Sequence, residues 1–145
     1  MSHSKEHLEA WWQPILQMQL EDPQQEPPRW AGTNNAVLNT PFPGIQIKAF
    51  AIVGTSGAGV FLSGTRRVNL FAIEKDLKQE RLSLLKELPK GTEIEAGYKH
   101  PVALYRDDFR SDRQKQEWII KTINQFVNVL RPRLRKWHEA SMRVG

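Results

Sequence analysis

Between Asp112 and Met142, the residues Ile119, Ile123, Phe126, Val127, Leu130, Leu134 and Trp137 recur at helical steps, which places all seven in one stripe on a 3.6-residue helix. Something has to cover that stripe. Burying seven such side chains contributes roughly 10 to 20 kcal/mol before chain entropy is subtracted, so the segment is expected to anchor the core. Pro132 falls inside it and removes the hydrogen bond to the Asn128 carbonyl, yet the apolar phase continues through Leu134 and Trp137. One bent helix is expected, with two helices end to end as the alternative.

Upstream the periodicity changes twice. Ser4 is placed to cap a first helix in which Leu8, Trp11, Trp12 and Ile15 keep helical spacing, with Pro14 bending it or marking a restart. Residues 21–44 hold five prolines and little periodicity. They read as a long extended connection pinned by Trp30, Val37, Leu38 and Phe42, with a short strand around Ala36 to Asn39. From Ile45 the period becomes two: Ile45, Ile47, Ala49, Ala51 and Val53 share one face, and Gln46, Lys48, Phe50 and Ile52 the other. The turn from Gly54 to Gly59 and the run Val60 to Leu62 complete an antiparallel hairpin. Val68 to Leu88 predicts a second helix stopped by Pro89 and Gly91, with Glu74 and Lys78 paired on its surface. Thr92 to Tyr98 and Val102 to Tyr105 predict a second hairpin. Hairpins favour antiparallel pairing. The expected architecture is a single α+β domain over residues 1–145: an antiparallel sheet of four or five strands, three main helices packed mostly on one face, and a Pro-rich connection at 21–44.

Composition narrows the functional classes. A chain of 145 residues can bury a core without staples, and the absence of cysteine excludes disulfides and thiolate metal sites. No run approaches the roughly 20 apolar residues of a membrane span. The first residues lack the apolar run of a signal peptide, so a soluble cytoplasmic protein with no membrane partner is expected. The formal charge is +5 and unevenly placed: from Lys121 onward, Lys121, Arg131, Arg133, Arg135, Lys136 and Arg143 stand against Glu139 alone. Such asymmetry points to an anionic partner.

Trp11-Trp12 on the first helix, the strand Gly59 to Leu62, the Phe71 to Leu88 helix leading into Gly91-Thr-Glu-Ile-Glu95, the strand Val102 to Tyr105, and Glu117-Trp-Ile119 running to Phe126 and Leu130-Arg-Pro-Arg-Leu134 together form a pattern. Over about Glu6 to Arg135 it resembles an uncharacterised prokaryotic domain family found alone or fused behind restriction-endonuclease-like nuclease domains. The resemblance implies an α+β accessory domain in a nucleic-acid-processing or phage-defence setting. It carries no active-site residues with it.

Catalytic constellations are weak by comparison. The Gly54, Gly57 and Gly59 loop leads into a strand, whereas a phosphate cradle leads into a helix. A nuclease would need a carboxylate on one strand and an acidic-x-Lys triplet on the next. Gln46-Ile-Lys48 is a degraded triplet, and no Asp or Glu lies between Glu26 and Glu74. Glu93, Glu95, Asp107 and Asp108 offer a carboxylate cluster, but alternation puts Glu93 and Glu95 on a solvated face opposite Ile94. His3 and His7 have metal-ligand spacing without a third ligand, and His100 and His138 are scattered. Ser56 and Ser63 lack the frame of a nucleophile. No catalytic residue, cofactor or metal is assigned.

Two binding features remain. Arg131, Arg133, Arg135 and Lys136 form the basic end of the last helix and, with Lys48, Arg66 and Arg67, are the candidate anion or nucleic-acid contacts. Lys48, Phe50, Phe61 and Tyr105 are also placed to share a sheet face free of helices, where aromatics flanked by cations stack unpaired bases. Aromatics of this kind more often belong to a core. The alternative to an anion-binding accessory domain is a protein-interaction or dimerisation module anchored by Trp118 and Val129, which leave the main stripe together. An enzyme with a diffuse carboxylate site ranks third.

Overall fold

The period-two run from Ile45 and the glycine-rich turn after it form a hairpin at the centre of the molecule. The structure is a computed structural model that describes residues 4–144, apart from the side chains of Arg67, Val68 and Val144. In chain order its elements are α1 (Lys5–Leu16), β1 (Arg29–Trp30), β2 (Asn35–Asn39), β3 (Ile45–Ala51), β4 (Ala58–Gly64), α2 (Arg67–Phe71), α3 (Glu74–Gln79), α4 (Arg81–Glu87), β5 (Glu93–Ile94), β6 (Val102–Arg106) and α5 (Asp112–Val144). The strands make one antiparallel sheet in the order β1-β2-β3-β4-β6-β5. The α+β class and the antiparallel pairing match expectation, but the element counts do not.

Six strands replace four or five. The surplus includes β1, a two-residue strand after Pro27-Pro28 that is too short to carry a period and exists only by pairing Arg29 with Val37 and Trp30 with Ala36. The single helix expected over Val68 to Leu88 is three short ones. Ile73 and Glu80 leave the helical path with ψ of 4° and 10°. At Glu80 the reason is visible, because its carboxylate accepts from Arg133 Nε at 3.2 Å and Trp137 Nε1 at 2.7 Å on α5. The chain there is steered by its tether to α5. By contrast, α5 runs unbroken through Pro132 for 33 residues.

Alternation decides which face is covered. Ile47 and Ala49 of β3, Val60 and Leu62 of β4 and Val102 of β6 point into one core with Trp12 and Ile15 of α1, Ile73, Leu77 and Leu84, and the whole α5 stripe from Ile119 to Trp137. Ser4 caps α1 by accepting from the His7 amide at 3.1 Å, as its sequence position predicts. The helices thus contribute to one side of the sheet. Gln46, Lys48 and Phe50 stand on the other, half-buried and outside the core. Among the described residues no helix is long and apolar enough to cross a membrane.

Candidate functional site

The basic end of α5 is largely engaged within the chain. Arg131 pairs with Asp22 at 3.3 Å and donates to Gln25 Oε1 at 2.8 Å. Arg133 pairs with Glu80 and Glu87, and donates to Ser83 Oγ at 3.1 Å and to the Val129 carbonyl at 3.0 Å. Arg135 reaches Gln24 Oε1 at 2.6 Å. Farther up the helix, Asn128 donates to Glu21 Oε2 at 2.7 Å, and Asn124 accepts from the Glu21 amide at 3.1 Å. Gln25 passes the connection on to the sheet by donating to the Asn39 carbonyl at 2.8 Å. These polar groups fasten the Pro-rich connection and the α3–α4 corner to α5. A guanidinium already matched by carboxylates offers little to an outside phosphate, and of the four basic candidates on α5 Arg131 and Arg133 are half-buried while Arg135 and Lys136 are exposed.

The other candidates do not converge with them. Lys48 lies on the sheet face away from α5, and Arg66 is exposed just before α2. His3 and the side chain of Arg67 lie outside the described residues. Trp118 and Val129 are half-buried against the core, with the Trp118 ring 5.3 Å from that of Phe109, so they complete packing instead of forming an exposed anchor. The carboxylates separate as well: Glu93 and Glu95 line one concavity and Asp107 another. Asp108 is held below its ordinary carboxylate value by its bond from Arg106. Among the described residues no group of three or more His, Asp or Glu is arranged to hold a metal ion.

What the fold does bring together is the uncovered sheet face. Strand register puts Val37, Lys48, Phe61 and Ala103 side by side, with Phe50, Gly59 and Tyr105 in the next row but one. The Tyr105 ring lies against Gly59, where a Cβ would stand 2.3 Å from a ring carbon, so a larger residue there would push the ring aside. The turn from Gly97 to Pro101 folds back over the face. Its His100 ring stacks on Phe61 at 3.9 Å and 33°, and its Nδ1 shares a hydrogen bond of 3.1 Å with the Tyr105 hydroxyl. Phe61 and Tyr105 are themselves stacked at 6.0 Å. Phe61 is consequently buried, whereas Tyr105 remains 56% exposed and Tyr98 65%. Lys48 and Lys99 supply positive charge beside these rings.

Burial, followed by Lys99 and Lys48, pushes His100 below its ordinary value of 6.5. Glu93 and Glu95 line the same concavity and act in the opposite sense without reversing the direction. The imidazole is therefore neutral at pH 7, as stacking on Phe61 favours. An NMR titration of the His100 ring protons is expected to give a midpoint below 6.5, with stability lost as pH falls from 6.5 through that midpoint. A midpoint above 6.5 would show that the carboxylates dominate.

Lys48, Phe50, Phe61 and Tyr105 were within reach of alternation alone. His100 and Tyr98 are not reached this way, nor is the part played by Gly59. A turn that doubles back over a sheet leaves no periodic trace, although the strand position of Gly59 opposite a tyrosine is the kind of gap an aromatic fills. Comparison with family models, with characterised proteins and with solved structures gives no match for this chain.

Proposed function

We propose that this chain is a non-catalytic binding domain that takes a single-stranded nucleic acid on the uncovered face of its sheet. The observation that carries this reading is a helix-free face on which Phe50, Tyr98, Tyr105 and the His100–Phe61 stack lie beside Lys48 and Lys99. Aromatic faces stack any unpaired base, and nearby cations hold the backbone. Duplex DNA hides its base faces and fits poorly. The resemblance to accessory domains of nuclease systems suits the same reading, and a nucleic-acid-processing or phage-defence role in the cytoplasm follows as part of the proposal. The exposed Arg135 and Lys136 lie on the helical side and would serve a second, weaker contact.

Glu93 and Glu95 keep the face from being uniformly positive, so stacking should outweigh charge. Fluorescence anisotropy with labelled single-stranded and duplex oligonucleotides across a salt series tests this. Single strands are expected to bind more tightly than duplex, with a log–log salt slope of only about −1 to −2, the value for two or so phosphate contacts. Tyr105→Ala is expected to weaken binding about tenfold by removing one stacking partner. Duplex preference with a steep slope would return the site to the basic helix. Concentration-dependent self-association without nucleic-acid binding would favour the dimerisation reading, with the exposed Ile52, Tyr98 and Tyr105 as its contact.

A further inference from the structure

At the end of the uncovered face lies a cleft of about 420 Å³ whose lining includes Phe50, Ile52, Thr55, Tyr105 and Asp107. Phe50 and Tyr105 rise from strands on either side of Gly59, and two strand spacings separate their roots by about 10 Å. The Tyr105 ring leans over Gly59, so a flat heterocycle would lie in the cleft against these two side chains, not as a sandwich between them, at the roughly 3.5 Å contact distance of carbon atoms. The turn at the end of the cleft is fixed before any ligand arrives. The carbonyls of Ile52 and Thr55 are both held by the ammonium of Lys115, at 2.9 and 2.6 Å. Preorganisation of this kind lowers the entropy loss on binding.

The polar end of the cleft has a sign. Arg106 is turned away from free use, because its guanidinium pairs with Asp108 and lies over the Phe109 ring at 4.5 Å. Asp107 is exposed in the cleft and has no hydrogen bond or ion pair among the described residues. The unmatched group at the rim is thus a carboxylate, which accepts hydrogen bonds and donates none. An apolar slot with an acceptor at its end complements an aromatic ring that carries an amino group and disfavours one that carries a carbonyl at the same position.

Resting on the binding reading above, we propose that this cleft is a subsite for one unpaired base with an exocyclic amino group, such as cytosine, packed against Phe50 and Tyr105 and read by Asp107. The face would then tolerate any sequence along most of its length and select at one position. Asp107 is a specificity-determining residue in this arrangement, and Phe50 and Tyr105 bind without discriminating.

The test compares short deoxycytidine and deoxythymidine homopolymers, two pyrimidines that differ at the 4-position by amino against carbonyl. With the native protein, the cytidine strand is expected to bind about tenfold more tightly. Asp107→Asn, a substitution at the surface that replaces an acceptor with a group able both to donate and to accept, is expected to erase that ratio while thymidine binding stays the same or tightens. Equal binding of the two strands by the native protein would overturn the subsite and leave the stacking face standing, provided that Tyr105→Ala still weakens both. A ratio unchanged in Asp107→Asn would overturn the role of the carboxylate. Failure of either strand to bind at low salt would overturn both readings together.

Discussion

Lys115→Ala is expected to destabilise the protein by about 3 to 5 kcal/mol in urea unfolding, in the range of a core truncation that also orphans a polar group. Lys115 is fully buried on α5. Its ammonium donates to the carbonyls of Ile52 and Thr55, stands 3.5 Å from Asp112, and lies 5.3 Å from the centre of the Trp11 ring. Truncation empties the space filled by its aliphatic stem and leaves the Thr55 carbonyl of the β3–β4 turn without its donor, while the Ile52 carbonyl keeps the Thr55 amide at 3.1 Å and the Thr55 hydroxyl at 2.8 Å. Such an orphan costs about 1 to 3 kcal/mol. Lys115→Met separates the two contributions, since it keeps most of the volume and loses only the donor. It is expected to cost about 1 to 3 kcal/mol, because two lost bonds outweigh the relief of not burying one ammonium. A methionine variant as stable as the native protein would show that the ammonium contributes nothing net.

The same residue gives a pH signature. Burial pushes the Lys115 ammonium below its ordinary value of 10.5, and the attraction of Asp112 only partly offsets this. The unfolded chain then holds that proton to higher pH than the folded one does. Stability therefore rises as pH climbs from the lowered value toward 10.5, and the advantage of the native protein over Lys115→Met widens in that window. The neutral amine retains two N–H donors, enough for both carbonyls.

Arg133→Ala is the second large effect, expected at about 2 to 4 kcal/mol, since one guanidinium ties two carboxylates, a hydroxyl and a backbone carbonyl together. Its partners divide unequally. Glu80 is the less exposed carboxylate and also receives the Trp137 indole N–H, so its loss of Arg133 leaves a charge short of a partner inside the α3–α4 corner. Glu87 is solvated and can rehydrate. A double-mutant cycle of Arg133→Ala with Glu80→Gln is expected to give a coupling of about 1 to 2 kcal/mol. Coupling near zero would reduce the pair to a surface contact. The hydrogen bond from Arg133 holds Glu87 below its ordinary value of 4.5, so its share of the stabilisation is present above that value and lost as acid protonates it. In a folded Arg133→Ala protein, nucleic-acid binding should be unchanged if the sheet face is the site.

The contrast between Arg133 and Lys48 shows where sequence reasoning stops. Both are cations, and nothing in the spacing of either distinguishes a free charge from a matched one. The partners of Arg133 are Glu80 and Glu87, some fifty residues earlier, and those of Arg131 lie in the Pro-rich connection, more than a hundred residues earlier. Charge imbalance in the tail was legible. Its use to fasten the connection became visible only once that connection was laid along α5. Lys48 kept its position because period two settles it locally: if Ile47 and Ala49 face the core, Lys48 must face away.

Local periodicity by itself determined the α5 stripe, the α1 face with its Ser4 cap, the β3–β4 hairpin, and the partition of β3 into a covered and an uncovered side, because each depends on residues within a few turns or a few pleats of one another, whereas the strand expected over Thr92 to Tyr98 shrinks to Glu93–Ile94. The tertiary structure decided what depends on distant pairs. It created β1 by pairing, broke the Val68 to Leu88 helix where Glu80 reaches α5, buried Lys115 under a turn sixty residues away, and folded His100 onto Phe61. Side-chain partners across such separations are chosen by packing, which follows from the whole core and leaves no period in the chain.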